Sequence, residues 1–244
     1  ITLEMAEERI AERIDANMMN VPIGDLKDLP KKMFDDRITK IKNKIDGKLI
    51  IKEYPTASAH AGHFKALLQE LKLKRDFAPD IIFIDYLNIC NSSRFKAGSN
   101  ANSYTIIKSI AEELRGLAVE HDLPIVSATQ TTRSGYGNSD VELTDTSESF
   151  GLPATADLMF ALISTEELEE QQQIMVKQLK NRYADPTSNK RFMVGVDRSK
   201  MRLFDLTEEV QNQITDSGQN KSNATFDSGT FSTKMSSNYD DFKV

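Results

Sequence analysis

The segment Ala78–Asn91, with the sequence APDIIFIDYLNICN, constrains the fold more than any other part of the chain. Its four consecutive apolar β-formers, Ile81 to Ile84, predict a central strand of a parallel sheet that is covered on both faces. Asp85 follows where this strand ends. Because ligands of open α/β sheets bind at the carboxyl ends of the strands, a carboxylate here is suited to hold a hydrated magnesium ion beside a nucleotide. The alternative is that Asp85 only caps the strand or begins a turn.

Helical and strand patterns alternate along the rest of the chain, which predicts an α/β fold closed by antiparallel strands. Helical periodicity covers 5–19, part of 21–46, 60–75 and 104–121. Strand patterns cover 48–53, 124–129, 157–163, 174–179, 191–196 and 201–206. The remaining residues, 211–244, are rich in Ser, Asn, Thr and Asp and poor in aliphatic residues. We therefore predict one domain over 1–210 and a disordered tail over 211–244.

Composition excludes several classes of protein. No apolar run in the 244 residues approaches the roughly 18 residues that a membrane helix needs. The single cysteine, Cys90, cannot form an internal disulfide and suits a reducing cytoplasm, and its place after an apolar strand indicates a buried spacer rather than a nucleophile. The net charge of −6 argues against unspecific coating of nucleic acid, although several subunits could still form a local basic pore. The three histidines show no spacing that would indicate a zinc site.

Two long polar loops follow two of the predicted strands. Asn91–Ser103 comes after the strand that ends in Asp85, and Thr131–Thr146 comes after the strand that ends in Gln130. Loops longer than about 12 residues within a compact domain are usually functional. If the two strands are parallel, both loops leave the same edge of the sheet. The alternative is a pair of flexible surface loops.

Five segments, in order along the chain, resemble the RecA-fold motor domain of DnaB-like replicative helicases, in particular those of T-even-type phages. They are TLEM at 2–5, IIFIDYLNIC at 81–90, SATQTTR at 127–133, DTSESFGLPATAD at 145–157 and VKQLKNRYADPTSNKRFMVGVD at 176–197. Each motif is weak alone, but five in register are specific. The resemblance runs from Ile1 to about Leu206. It implies a RecA-like P-loop NTPase core whose mostly parallel sheet is extended by antiparallel C-terminal strands.

The resemblance also implies catalytic roles, for which the chemistry gives independent reasons. Glu4 would orient or deprotonate the attacking water, and Asp85 would hold magnesium through water. Gln130 would contact the γ-phosphate or that water. Lys180 and Arg182, two residues apart on a predicted strand, would face the same way and reach a neighbouring subunit's nucleotide. The alternatives are an ordinary first-turn glutamate, a polar strand cap and a solvated basic edge.

Partners follow from the same resemblance. The substrate would be ATP or GTP with Mg, and the partners would be single-stranded DNA, five further copies in a homo-hexamer, a primase and a helicase loader. In such a ring the two polar loops would line a pore around the DNA strand. The candidate DNA contacts are Arg94, Lys96, Arg133, Glu148 and Ser149. The alternative for the basic residues among them is solvated loop charge. The expected location is the cytoplasm of a bacterial host, if the gene belongs to a phage.

The chain departs from the family pattern in three places. It contains no G-x-x-x-x-G-K-[ST], since its one Gly-Lys pair, Gly47-Lys48, is followed by Leu49 and lacks the first glycine. In the second loop, Ser147 and Phe150 stand where the family has Arg and Gly. The hairpin has Tyr-Ala-Asp-Pro at 183–186 where the family has Asn-Gly-Pro. Because ITLEM reads as the end of a strand, we expect a fragment or a processed product. Because it has no phosphate-binding loop, we expect it to be inactive in isolation.

The sequence therefore predicts a motor domain of a hexameric replicative DNA helicase, which couples NTP hydrolysis to translocation on single-stranded DNA and to duplex unwinding. One alternative is a RecA-like recombinase or circadian-type ATPase on the same fold. Another is a non-catalytic module that binds DNA or replication proteins. The last six residues, YDDFKV, are predicted to dock on a replication partner, with a solubilising tail as the alternative.

Overall fold

The computed structural model describes residues 1–95, 100–131, 141–143, 151–185, 188 and 190–211. The chain divides into two units, Ile1–Ile214 and Thr215–Val244, and all described residues belong to the first. Its helices are α1 (Glu7–Met19), α2 (Lys31–Lys42), α3 (Ala61–Arg75), α4 (Ser103–His121), α5 (Gly151–Thr155), α6 (Glu166–Glu170) and α7 (Glu208–Gln211), with 3-10 turns at Ile23–Asp28 and Leu87–Ile89. Its strands are β1 (Ile82–Ile84), β2 (Ile125–Ser127), β3 (Leu158–Ile163), β4 (Gln173–Asn181), β5 (Arg191–Asp197) and β6 (Arg202–Asp205).

A parallel sheet forms around β1. It pairs with β2 on one side, and on the other side Asp85 pairs in parallel with Thr2. Thr2 in turn pairs in parallel with Glu53, so the order across the sheet is Glu53, Thr2, β1 and β2. The N–H of Leu3 donates to the carbonyl of Asp85 at 2.9 Å, which fixes this register. Since all these segments run in one direction, their carboxyl ends meet at a single edge.

A separate antiparallel sheet follows in the order β3-β4-β5-β6. The register between β3 and β4 shifts between Met159 and Phe160, which marks a bulge. At the far side of the sheet, β5 and β6 form a hairpin in which Gly195 lies opposite Phe204. The antiparallel set that the sequence predicted is therefore present, with β3 as its first strand.

The core of the domain lies where α3 and α4 pack on the parallel sheet. The side chain of Asn102 caps α4 by accepting from the N–H of Thr105 at 2.8 Å, and the apolar stripe of the helix faces inward. Phe64 of α3 and Ile110 of α4 are buried against Ile84 of β1 in one cluster. Burial of each such side chain stabilises the fold by about 1.5–3 kcal/mol.

The α/β class is confirmed, but two local expectations are wrong. β1 is not covered on both faces: Ile82 and Ile84 are buried, whereas the Phe83 side chain on the other face is 57% exposed. Val126 of β2 is 46% exposed on that face as well. A run of apolar residues does not reveal whether one face or both will be covered. Residues 48–52 form no strand in the structure, and only Glu53 pairs with the sheet.

None of the described helices has the length and apolar content that a membrane crossing requires.

Candidate functional site

Three of the predicted site residues meet at the carboxyl edge of the parallel sheet. Because Thr2 pairs with Asp85, Glu4 leaves its strand at the same edge as Asp85. Gln130 follows β2, the neighbouring strand on the other side. The hydroxyl of Ser127 donates to the carbonyl at the end of β1 at 2.8 Å, which holds the two strand ends together. The side chains of Glu4, Asp85 and Gln130 are all exposed at this edge.

The turn that carries Glu4 is held by two threonines. The hydroxyl of Thr2 accepts from the N–H of Met5 at 3.1 Å and donates to the carbonyl of Met5 at 2.8 Å, which closes the turn around Glu4. The hydroxyl of Thr56 donates to the carbonyl of Leu3 at 2.6 Å. The backbone on both sides of Glu4 is therefore fixed, while its side chain faces solvent.

Tyr86 connects Asp85 and Gln130, and this contact was not anticipated from the sequence. The Nε2 atom of Gln130 donates to the hydroxyl oxygen of Tyr86 at 3.0 Å. Because Tyr86 directly follows Asp85, this bond ties the amide of Gln130 to the end of the Asp85 strand. The two residues are 44 positions apart, so no local pattern could have indicated the contact.

Lys180 and Arg182 lie on the antiparallel sheet and contact a different segment, from α5 to Asp157. Lys180 is within β4, and Arg182 lies one residue beyond its end. Nζ of Lys180 donates to the carbonyl of Pro153 at 2.5 Å. Nη1 of Arg182 donates to Oδ1 of Asp157 at 3.0 Å, and its main-chain N–H donates to the Asp157 carbonyl at 3.0 Å. The hydrogen bonds of this basic pair lead to α5 and Asp157, not to Glu4, Asp85 or Gln130.

Arg115 of α4 completes a charged group with Asp157, and no sequence pattern pointed to it. Nη1 of Arg115 donates to Oδ2 of Asp157 at 2.9 Å and to the carbonyl of Thr155 at 2.7 Å. Burial opposes ionisation of Asp157, but the hydrogen bonds and charges of Arg115 and then Arg182 outweigh it and lower the pKa of this carboxyl. Asp157 is therefore an anion at neutral pH.

The first polar loop is anchored to α4 at its start. The Glu113 side chain, only 9% exposed, accepts hydrogen bonds from the Ser92 hydroxyl at 2.5 Å and from the main chain and hydroxyl of Ser93 at 3.1 and 2.9 Å. Burial opposes ionisation of Glu113, but these bonds and the charge of Arg94 lower its pKa. Arg94, a predicted DNA contact, forms an ion pair with Glu112. The other predicted contacts, Lys96, Arg133, Glu148 and Ser149, lie outside the described residues.

The remaining candidate groups have structural partners. Cys90 is buried, and burial raises the pKa of its thiol to about 12, as expected of a spacer rather than a nucleophile. His60 and His63 form the capping box of α3, in which Nδ1 of His60 accepts from the N–H of Gly62 at 3.0 Å. Within the described ranges, no three or more His, Cys, Asp and Glu side chains come together as a metal cage.

Comparison with known proteins identifies the family. The chain matches the model of the DnaB-like helicase C terminal domain over residues 1–202. It is 44% identical over 212 residues to the DnaB-like replicative helicase of Enterobacteria phage T4, an alignment that covers 86% of this chain and 44% of the phage protein. The chain thus spans less than half the length of this curated relative.

Solved structures agree on the fold. The structure of a DnaB-like replicative helicase, described with its interactions with primase, and that of a separate ATPase domain each give a TM-score of 0.68 at 18% identity. Each match covers 84% of this chain. It covers 49% of the helicase chain in the first structure and 73% of the ATPase domain in the second. This likeness confirms the predicted RecA-like core. The chain belongs to the DnaB-like helicase C-terminal domain family.

Proposed function

We propose that this chain is the motor domain of a hexameric replicative DNA helicase, in which NTP hydrolysis drives translocation on single-stranded DNA and duplex unwinding. The observation that carries the proposal is the meeting of Glu4, Asp85 and Gln130 at one carboxyl edge. A carboxylate that activates water, a second that serves a metal and an amide that senses phosphate are what phosphoryl transfer requires.

Each residue of the carboxyl edge has one task. Glu4 accepts the proton of the attacking water or orients that water, and the fixed turn around it limits the movement of its carboxylate. Gln130 donates to the γ-phosphate or to the water from its position beside Tyr86. Asp85 is an exposed, hard oxygen donor, which fits a hydrated magnesium ion. When bound, Mg²⁺ neutralises charge on the phosphates of ATP or GTP.

Lys180 and Arg182 act on the nucleotide of an adjacent subunit. Their positive charges stabilise the charge that develops on the transferred phosphoryl group, a contribution of about 10³-fold or more in comparable enzymes. The Arg182 side chain is 50% exposed, so a neighbouring molecule can reach it. This task in trans requires a ring or filament, and we take the assembly to be the homo-hexamer that the family resemblance implies.

Single-stranded DNA passes along the two polar loops. Arg94 contacts the DNA near the start of the first loop, where Glu113 fixes the chain to α4. Further contacts come from Lys96, Arg133, Glu148 and Ser149. A helicase of the same fold has been described with its interactions with primase, which supports a primase as a partner here. A helicase loader is a second partner, and the site of action is the bacterial cytoplasm.

The test uses the intact helicase that contains this domain. Glu4→Gln and Arg182→Ala should both bind nucleotide and hydrolyse it about 10³-fold more slowly. Because Arg182 acts in trans, rings mixed from the two variants should recover turnover in some interfaces. Arg198→Ala is the matched control, since it removes a guanidinium from the turn between β5 and β6 that is paired with Glu169 at 3.1 Å.

Three results would contradict the proposal. Wild-type turnover in Glu4→Gln would show that Glu4 does not activate the attacking water. Absence of NTP turnover in the unmodified intact protein would favour a non-catalytic module that binds DNA or replication proteins. Mixed rings with no more activity than the average of the two parents would show that Arg182 does not serve a neighbouring subunit.

A further inference from the structure

The carboxylate of Asp157 lies between two guanidinium groups that come from different elements. Arg115 of α4 holds Oδ2 at 2.9 Å, and Arg182 at the end of β4 holds Oδ1 at 3.0 Å. The same nitrogen of Arg115 also donates to the carbonyl of Thr155 at 2.7 Å, which ties α4 to the end of α5. One oxygen of Asp157 is thus fixed by the helix, and the other is presented to Arg182.

This arrangement orients Arg182 without cancelling its charge. Two guanidiniums and one carboxylate leave a net charge of +1 on the group. A guanidinium has about five N–H donors in a planar fork, and the contact with Oδ1 uses Nη1 only, so the other edge can meet an anion. The main-chain N–H of Arg182 also donates to the Asp157 carbonyl, so backbone and side chain are held by one residue.

We propose that Asp157 is a positioning residue, fixed by Arg115, that holds the guanidinium of Arg182 in the orientation in which it meets the phosphates of a neighbouring subunit. The inference rests on the proposed role of Arg182 and explains what orients its guanidinium. Without the carboxylate, the half-exposed side chain would sample several rotamers, and the correct one would be less populated. Asp157 acts through Arg182 and needs no contact of its own with the nucleotide.

The experiment compares Asp157→Asn with wild type in the intact helicase. The substitution keeps the size of the side chain but removes its charge. We expect kcat for NTP hydrolysis to fall by about 10- to 100-fold, since misplacing a catalytic group by about 1 Å costs that much. KM for NTP should stay within about twofold, because a guanidinium that acts mainly on the charge of the transition state contributes little to ground-state binding.

A double-mutant cycle separates positioning from general damage. If Asp157 acts through Arg182, then adding Asp157→Asn to Arg182→Ala should cause no further loss of kcat. Arg115→Lys offers a second route if Asp157→Asn does not fold, since lysine keeps the charge but lacks the guanidinium geometry that places Nη1 between Asp157 and Thr155. Glu169→Gln is the control, because it breaks another Arg–carboxylate pair, between α6 and the turn after β5, and should leave kcat unchanged.

The outcomes are distinct. Wild-type kcat in both Asp157→Asn and Arg115→Lys, with Arg182→Ala impaired, would overturn the positioning role and leave the function of Arg182 intact. A kcat above wild type would also overturn it, because Asp157 would then be restraining Arg182. Full activity of Arg182→Ala would overturn the proposed role of Arg182, and this inference with it, while the motor function would still rest on the Glu4→Gln test.

Discussion

Burial of Cys90 makes its thiol a poor nucleophile, because the pKa rises from 9.0 to about 12. At pH 8 the thiolate fraction is lower by about 10³-fold than for a free cysteine. We expect iodoacetamide to modify the native chain at least about 10²-fold more slowly than the urea-unfolded chain. Mass spectrometry of the alkylated protein over time measures both rates. Rapid labelling of the native chain would show that Cys90 is accessible and ionised.

Glu113 is the residue whose charge should contribute to stability in a pH-dependent way. Glu113→Gln removes the charge and replaces one of the two acceptor oxygens by an amide nitrogen. Ser92 and Ser93 then lack their anionic partner, which should cost about 1–3 kcal/mol at pH 7. Because folding lowers the pKa of Glu113 from its usual value of 4.5, this stabilisation is present above pH 4.5 and is lost as the pH falls further.

Urea denaturation of wild type and Glu113→Gln at pH 7 and at about pH 3.5 measures this difference. The gap in the free energy of unfolding should shrink at the lower pH. Glu112→Gln is the control: its carboxylate is 37% exposed and pairs with Arg94 on the surface, so its loss should cost less than about 1 kcal/mol. An equal gap at both pH values would show that the Glu113 charge does not stabilise the loop.

The strand-end residues of the site could be predicted from the sequence, but the residues that hold them could not. Glu4, Asp85 and Gln130 were predictable because each follows a strand, and parallel strands bring their ends together. Arg115 and Tyr86 were not, because their partners lie 42 and 44 positions away. Such contacts depend on how elements pack, and no periodicity within one segment encodes them.

At the scale of elements, the bounds of the long helices and of most strands were predicted to within two residues, whereas the cover of the parallel strands was not. α3 and α4 begin and end within one residue of the expected positions, because their apolar stripes and N-terminal caps are local signals. β1 and β2 were placed correctly, but their coverage was not. The side chains of Phe83 and Val126 are exposed on one face of the parallel sheet. Whether a face is buried depends on which other elements pack against it, and the sequence of the strand itself does not encode this.

Two glycines in different elements should respond in opposite ways to alanine. A Cβ at Gly195 of β5 would lie 2.3 Å from Cε2 of Phe204, so Gly195→Ala must displace this ring from the hairpin, at a cost of about 1–3 kcal/mol. A Cβ at Gly116, inside α4, would meet nothing within 4 Å. Gly116→Ala should therefore stabilise the helix by about 0.5–1 kcal/mol.

Thermal or urea unfolding of the two variants tests this pair directly. A stable Gly195→Ala variant would show that Phe204 leaves the hairpin at little cost. A destabilised Gly116→Ala variant would show that α4 is packed more closely at this position than its open surroundings indicate.

At the scale of the whole molecule, the described residues bring Glu4, Asp85 and Gln130 together at one edge of the parallel sheet. No G-x-x-x-x-G-K-[ST] occurs in the sequence, and positioning of the phosphates is most of the catalysis in phosphoryl transfer. The 244-residue chain alone should therefore release phosphate from ATP or GTP at no more than the background rate, with or without single-stranded DNA. A phosphate-release assay measures this, with circular dichroism to show that the chain is folded. In the same assay, the intact helicase should be active and should lose activity on Glu4→Gln. Robust, DNA-stimulated hydrolysis by the isolated chain would contradict the prediction, because the nucleotide would then be held by residues other than those at the carboxyl edge.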